Sequence, residues 1–463
     1  MSAFSPPSGR SFMRPLRLLL VLILSLVLTT QPAMAQSILR DAETESFLDS
    51  VSAPLISAAG LDPRNVKIVM IQDKEINAFV AGGQIVYIHT GLIAAADNVN
   101  QVQGVIAHEL GHIAGGHVVR FSEGVRVATG IMLLSLIAGI AVTALGGGEA
   151  GPAIIAAGQQ AATGKFLAFT RTQESSADAA GATYLSKAGI SGRGSIEFFK
   201  KLQNVEFRLG IPQTDSYGRT HPLSGERIAI LEGRYHADPA WDKKTDPAIE
   251  ARFQRIKAKL KGFVSEPRQT LKDYPISDTS VPARYARAYA WHKSAYPDRA
   301  LEEVNALLLA APHDPYFLEL KGQILLESGR PTEALPILRE AVDLTNNQPL
   351  IASLFGHALI ATEDDRNYPE AERVLKASVG KDNDNPFAWY QLGVVYEARG
   401  DHPRAAMATA ERYNLEGRYE LAMRSAEEAM TGLPQGSPDW IRAQDIAMVS
   451  RTEVEKDKKK KRR

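Results

Sequence analysis

HELGH, residues 108–112, places two histidines four positions apart, with a glutamate after the first. From Val99 the apolar positions recur at 102, 105, 106, 110 and 113, so a helix of about 98–118 is expected around it. On a helix, residues i and i+4 share a face. His108 and His112 therefore project together, and their imidazoles can bind one Zn2+ at about 2.0–2.1 Å. Glu109 lies beside them, placed to take a proton from an attacking water. A histidine pair at this spacing is common on surface helices. Two imidazoles and a carboxylate inside an apolar helix are not, because burying them side by side is costly unless something compensates them.

A catalytic zinc takes a third protein ligand and keeps an open fourth position. His117 is the near candidate, but its spacing argues against it. In metzincins the third histidine comes ten residues after the first, with a glycine turn between. Here that position is Val118; Gly115 suits the turn, and His117 falls one residue short. His117 is therefore read as a structural residue at the helix end. ESSAD (174–178) offers a better partner, with Glu174 and Asp178 at i and i+4 of a later helix. Glu174 can complete a His2Glu set, and Asp178 can accept a hydrogen bond from the far ring nitrogen of a ligand histidine. Both begin an otherwise uncharged stretch, which suits a buried site.

Upstream, residues 41–59 read as a helix with Phe47, Leu48, Val51, Leu55 and Ile56 on one side. VKIVMI (66–71) and QIVYIHT (84–90) read as strands of a small sheet, the second preceded by Gly82 and Gly83. Strand 84–90 is either a plain structural partner or an edge to which an extended peptide can add. Downstream, GIMLLSLIAGIAVTALGGG (130–148) is apolar but shorter than the ~20 residues a spanning helix needs. It reads either as a buried hairpin helix or as an apolar lid that meets membrane or unfolded substrate.

The chain has 53 basic and 53 acidic residues, so no global field points to nucleic acid. Residues 1–35 hold Arg10, Arg14 and Arg17 and no acid, which leaves 50 against 53, or −3. KDKKKKRR (456–463) holds seven basic groups and one acid, so the body without it is 43 against 52, or −9. The basic tail is either solvated or docks on anionic lipid or an acidic partner. Absence of cysteine excludes disulfides, thiolate ligands and a cysteine nucleophile. The three arginines, LLLVLILSLVL (18–28) and AMA (33–35) form a secretory signal pattern with cleavage expected after Ala35.

After about residue 245 the character changes. ARFQRIKAKLKGFV (251–264) reads as a basic amphipathic helix, and Pro267 and Pro275 mark a linker. Alanines then recur in similar settings at Ala300, Ala334, Ala371 and Ala405, and glycines at Gly322, Gly356 and Gly393. This helix–turn–helix period resembles the tetratricopeptide repeat, whose stacked pairs form a superhelix with a concave face. Residues 418–430 and 439–450 read as degenerate terminal helices.

Together HELGH, NAFVAGGQIVYIHTGLI (77–93), RTQESSADAAG (171–181) and THPLSGERI (220–228) resemble the M48 family of zinc metallopeptidases. With its repeats the chain is similar to the periplasmic, repeat-bearing members that act in outer-membrane quality control. The resemblance implies an α+β zincin-like (gluzincin) metallopeptidase domain, mainly helical with a small sheet, followed by an all-α tetratricopeptide-repeat superhelix. The expected organisation is a signal peptide at 1–35, the peptidase at 36–245, a linker with an amphipathic helix at 246–279, repeats at 280–450 and a basic tail at 451–463. The resemblance further implies one Zn2+ on His108, His112 and Glu174, with Glu109 as general base. His221, in THP, maps near the zinc, either stabilising the oxyanion or filling the fourth position in a resting state. Arg227 is expected to hold that loop to the site. The function implied is a zinc-dependent endopeptidase of unfolded or misassembled outer-membrane proteins in the periplasm, with repeats docking clients or assembly machinery. A chaperone or scaffold with secondary or latent peptidase activity is the alternative. Peripheral membrane contact is a further expected interaction, but no stretch after the signal pattern reads as a spanning helix.

Overall fold

The computed structural model describes residues 38–144, 150–209, 221 and 225–461. The signal pattern at 1–35 and most of THPLSGERI before Gly225 lie outside the described residues; His221 lies within them.

The structure begins with a short strand β1 (Ile38–Leu39) and helix α1 (Ala42–Ala58). Asp41 caps α1 by accepting from the Thr44 N–H, and Phe47, Leu48, Val51, Leu55 and Ile56 form its buried side, as their spacing predicts. Strands β2 (Lys67–Ile71), β3 (Ala78–Ala81) and β4 (Ile85–His89) complete a mixed sheet of order β1-β2-β4-β3. β4 pairs in parallel with β2, Ile68 opposite Val86, and antiparallel with β3, Phe79 opposite Tyr87. Of the two readings of 84–90, the edge therefore fails and the structural hairpin, formed with 78–81, stands. Gly82 and Gly83, both at positive φ, turn the chain so that 78–81 folds back over it. The edge strands are β1 and β3, the latter too short and alanine-rich to stand out in the sequence.

After α2 (Thr90–Ala95), helix α3 (Val99–Ala114) carries HELGH through the centre of the core. Asn98 caps it by accepting from the Gln101 N–H. α3 ends at Ala114, earlier than the apolar spacing suggests. Gly115 and Gly116, the latter at φ +63°, turn the chain, and His117 opens a new helix, α4 (His117–Ala144). α5 (Ala150–Lys187) returns along α4. Residues 130–144 of the apolar segment are thus part of a long helix pair, and the buried reading fails for them, since Leu133, Leu134 and Ile137 are all exposed; 145–148 lie outside the described residues. Because the helix starts at His117, its stretch His117–Thr143 is long and apolar enough to cross a membrane, which corrects the expectation that no such stretch follows the signal pattern. α6 (Arg193–Leu209) and α7 (Gly225–His236) close the unit.

Helix α8 (Pro247–Val264), followed by the short α9 (Pro267–Asp273), is used on both faces. Phe253, Ile256 and Leu260 enter the same core as Phe47 and Val105. On the other side Gly262 meets the backbone of Ala286 so closely that an added Cβ would lie 2.6 Å from its carbonyl oxygen. Lys259, 3% exposed, reaches Asp41 at 2.5 Å and Glu43 at 3.3 Å, and Tyr285 donates to Glu43 at 2.8 Å. Arg255 bridges Glu43 and Asp314. Charges that read as solvated thus form a buried polar joint between the first helix and the repeats.

The repeats are antiparallel helix pairs: α10 (Val281–Lys293) with α11 (Pro297–Ala310), α12 (Pro315–Glu327) with α13 (Pro331–Leu344), α14 (Pro349–Ile360) with α15 (Tyr368–Lys381), and α16 (Pro386–Ala398) with α17 (His402–Leu415). Each starts with proline in its first turn, where the missing N–H costs nothing. Ala300, Ala334 and Ala371 are fully buried. Gly322 receives Leu338 and Gly356 receives Leu375, whereas Gly393 faces the smaller Ala408. α18 (Tyr419–Gly432) and α19 (Pro438–Lys461) cap the stack; α19 carries on into the basic tail, exposed from Glu455 to Lys459, and 462–463 lie outside the described residues.

This difference among the glycines is testable by thermal unfolding. Gly322→Ala places a Cβ 2.3 Å from Leu338 and should lower stability by about 1–3 kcal/mol. Gly393→Ala meets Ala408 at an ordinary 3.6 Å and should raise it by up to ~1 kcal/mol through helix propensity. Equal effects at the two sites would contradict the packing described.

Candidate metal centre

Two helices build the site because small residues let them touch. A Cβ on Gly111 would lie 2.6 Å from the Ala177 carbonyl oxygen, and one on Gly181 would lie 3.0 Å from the backbone of Ala107. α3 and α5 therefore cross almost backbone to backbone, and the glycine of HELGH is a packing requirement. The crossing carries Glu174 and Asp178 to the two histidines.

Four side-chain donors meet there, all buried: His108, His112, Glu174 and His221. His108 Nε2 lies 3.1 Å from His112 Nε2 and 3.2 Å from His221 Nδ1. Glu174 places one oxygen 3.4 Å from His108 Nε2 and the other 3.4 Å from His112 Nε2, and both are 3.2 Å from His221 Nδ1. A regular tetrahedron with edges of this size has its centre about 2.0 Å from each corner, the length of a zinc–histidine bond. The donor atoms converge on one point, which a cation satisfies and hydrogen bonds alone do not. The residues present fit a metal ion.

The surrounding groups fix these orientations. Asp178 Oδ1 sits 2.9 Å from His108 Nδ1, leaving Nε2 to face the centre. Arg227 donates to both Asp178 oxygens, at 2.7 and 2.9 Å, and lies 3.2 Å from Glu174. Arg227, expected to hold the 220–228 segment to the site, reaches it through these two carboxylates. His117 Nδ1 is 3.0 Å from His112 Nδ1. It is not a member of the donor cluster, and it holds His112 as Asp178 holds His108. Sequence spacing placed His117 at a helix end; only the Gly115–Gly116 turn swings it back over His112.

Glu109 is fully buried, and neither carboxylate oxygen has a hydrogen-bond partner among the described residues. His221 Nε2 lies 3.5 Å from one of its oxygens. The His221 ring therefore stands between the donor cluster and Glu109. Burial pushes the Glu109 carboxyl above its usual range, against the pull of His221 and His108. Burial also opposes charge on His108, but Asp178 and Glu174 outweigh it and raise its pKa to about 10. Burial and the neighbouring His108 charge lower His112 to about 2. Without an ion the cluster holds its proton on His108.

The profile of peptidase family M48 matches residues 42–235, and that of the tetratricopeptide repeat matches residues 283–349 and 361–429. The chain is similar to the beta-barrel assembly-enhancing protease of Escherichia coli (strain K12), 24% identical over 407 residues, covering 86% of this chain and 81% of the relative. It is 32% identical over 201 residues to metalloprotease LoiP of the same organism, covering 43% of this chain and 73% of LoiP. Mitochondrial metalloendopeptidase OMA1 of Bos taurus is 26% identical over 178 residues, covering 37% of this chain and 33% of OMA1.

An ion held in this cluster would bind the neutral ring of His108, so loading the site would displace its proton. Affinity should therefore rise with pH, by up to about tenfold per unit between about pH 6 and 8, with release of about one proton per ion. Calorimetric titration of Zn2+ in buffers of different ionisation enthalpy reads this directly, and a pH-independent affinity would contradict it. In the same titration His117→Ala should weaken binding by about 10–100-fold while the helical circular dichroism stays unchanged.

Proposed function

The chain belongs to peptidase family M48 and is a metalloendopeptidase; we propose that its ion is zinc, held by His108, His112 and Glu174, and that it hydrolyses unfolded or misassembled outer-membrane proteins in the bacterial periplasm. The observation that carries this reading is the convergence of four buried donors beside Glu109, a buried carboxylate without a hydrogen-bond partner among the described residues. Imidazole and carboxylate donors in a tetrahedron suit zinc. The periplasm is inferred from the signal pattern at 1–35, and the client class from the likeness to the beta-barrel assembly-enhancing protease. Residues 36–245 form the peptidase, 246–279 the joint, 280–450 the repeats that dock clients or assembly machinery, and 451–463 the basic end.

Zinc, when bound, supplies a Lewis acid for the water and the scissile carbonyl. Glu109 takes a proton from the attacking water and passes it to the leaving amine. Burial raises its pKa, which strengthens it as the base that accepts the water's proton. Asp178 and His117 keep the ligand rings turned inward, and Arg227 holds Glu174 in place. Substrate adds as a strand to the open edge of β3, where main-chain pairing tolerates many side chains but demands an extended segment. Folded proteins do not offer one, so clients are unfolded.

A latent peptidase with a binding role for the repeats is favoured by one observation, the place of His221 in the donor cluster. Four protein donors leave no open position. His221 therefore acts as a plug of the resting site, and its withdrawal exposes both the ion and Glu109.

Two substitutions separate these roles. Glu109→Gln should keep zinc and lower cleavage of an unfolded reporter by at least about 100-fold. His221→Ala should keep zinc on three ligands and raise cleavage; a loss of activity with zinc retained would instead assign His221 to the oxyanion.

A further inference from the structure

The α4–α5 hairpin reverses the usual arrangement of a soluble protein. Its large apolar side chains face outward: Val119 is 79% exposed, Leu134 70%, Ile137 58% and Ile140 58%. Its inner seam is built of small residues. Gly139 meets Gly151 and Ile155, and Gly158 meets Ser135, at distances where a Cβ would clash. Helices pack through such seams when their outer faces already lie in an apolar solvent and burial between them gains nothing. The hydroxyls follow the same logic. Ser135 donates to the Met132 carbonyl, Thr143 to Gly139 and Thr163 to Gln159, each within its own helix.

Charge is distributed along the hairpin in one sense. From Val127 to Gly164 the sequence holds one charged residue, Glu149. At the base stand Arg120 and Arg126 on α4 and Lys165 and Arg171 on α5, all exposed, against the single acid Glu123. An apolar body with a cationic collar matches a lipid surface that offers acyl chains and phosphates at one boundary. The 27 residues His117–Thr143 reach about 40 Å at ~1.5 Å per residue, comparable to a leaflet pair with its headgroups.

We propose that the outward face of α4 inserts into an anionic lipid surface, with Arg120, Arg126, Lys165 and Arg171 at the phosphate level. α4 begins at His117 and α5 leads within about 15 Å from Gly164 to Glu174, so insertion sets the metal centre beside the bilayer. Gln159 and Gln160 keep part of α5 solvated, so the hairpin enters with its α4 side.

The test reads binding and not cleavage, so its outcome is independent of the hydrolytic reading. The chain from Gln36 onward, which retains every described residue, is floated with vesicles of phosphatidylethanolamine and phosphatidylglycerol, and separately with phosphatidylcholine. It should float with the anionic vesicles. Leu134→Asp with Ile137→Asp should lower the bound fraction at least tenfold with circular dichroism unchanged. Arg120→Glu with Arg126→Glu should abolish the preference for anionic vesicles. The emission of Leu134→Trp, which removes no apolar surface, should shift to the blue and be quenched by brominated acyl chains. Absence of flotation, flotation indifferent to the aspartate pair, or an unquenched tryptophan would overturn the proposal. A lipid-free dimer dispersed by the aspartate pair would assign the face to a second copy instead.

Discussion

The near-contact of two helix backbones governs this structure. Where α3 crosses α5, Gly111 lies against Ala177 and Gly181 against Ala107. That approach puts a carboxylate within 3.4 Å of both HELGH imidazoles and a second one on the far nitrogen of His108. A methyl group at either glycine would push the helices apart and scatter the donors. The buried charges depend on that geometry in turn, because each is tolerated only while its partners are in place. Packing and chemistry here are one constraint seen from two sides.

Outward from the crossing, each element has a reason in the site. The sheet and α1 pack on α3, and so do α5 and α6, so the whole of α3 from Val99 to His112 is buried. Arg227 arrives on α7, and His221 comes from just before it. The joint of Asp41, Glu43, Arg255, Lys259 and Tyr285 then fixes α8 to the repeats. That joint is polar and buried, so it specifies one arrangement more than it adds stability. It ties the helical repeats to the helix that opens the peptidase unit.

The sequence made the metal site legible because chemistry and period coincided. His108, His112, Glu174 and Asp178 all stand at helical spacings, and each type has a role at a metal ion. The repeats were legible for the same reason, as Ala300, Ala334 and Ala371 recur at sites where helix pairs touch. What stayed hidden depended on turns and on solvent. The Gly115–Gly116 reversal gives His117 its contact with His112. The Gly82–Gly83 reversal makes β3 an edge of the sheet in place of β4. Residues 130–144 have the composition of a buried helix, and composition cannot say whether an apolar face meets protein or lipid. The pairing of Lys259, in the basic amphipathic helix, with Glu43 was not legible because the two lie 216 residues apart in the chain.

Zinc-edge X-ray absorption on the purified protein tests the central claim most directly. The account predicts one zinc per chain in a four-coordinate shell of nitrogen and oxygen at about 2.0 Å, with the outer-shell scattering of three imidazoles in the resting form. A chain that retains no stoichiometric metal, or a shell with fewer than two imidazoles, would contradict it.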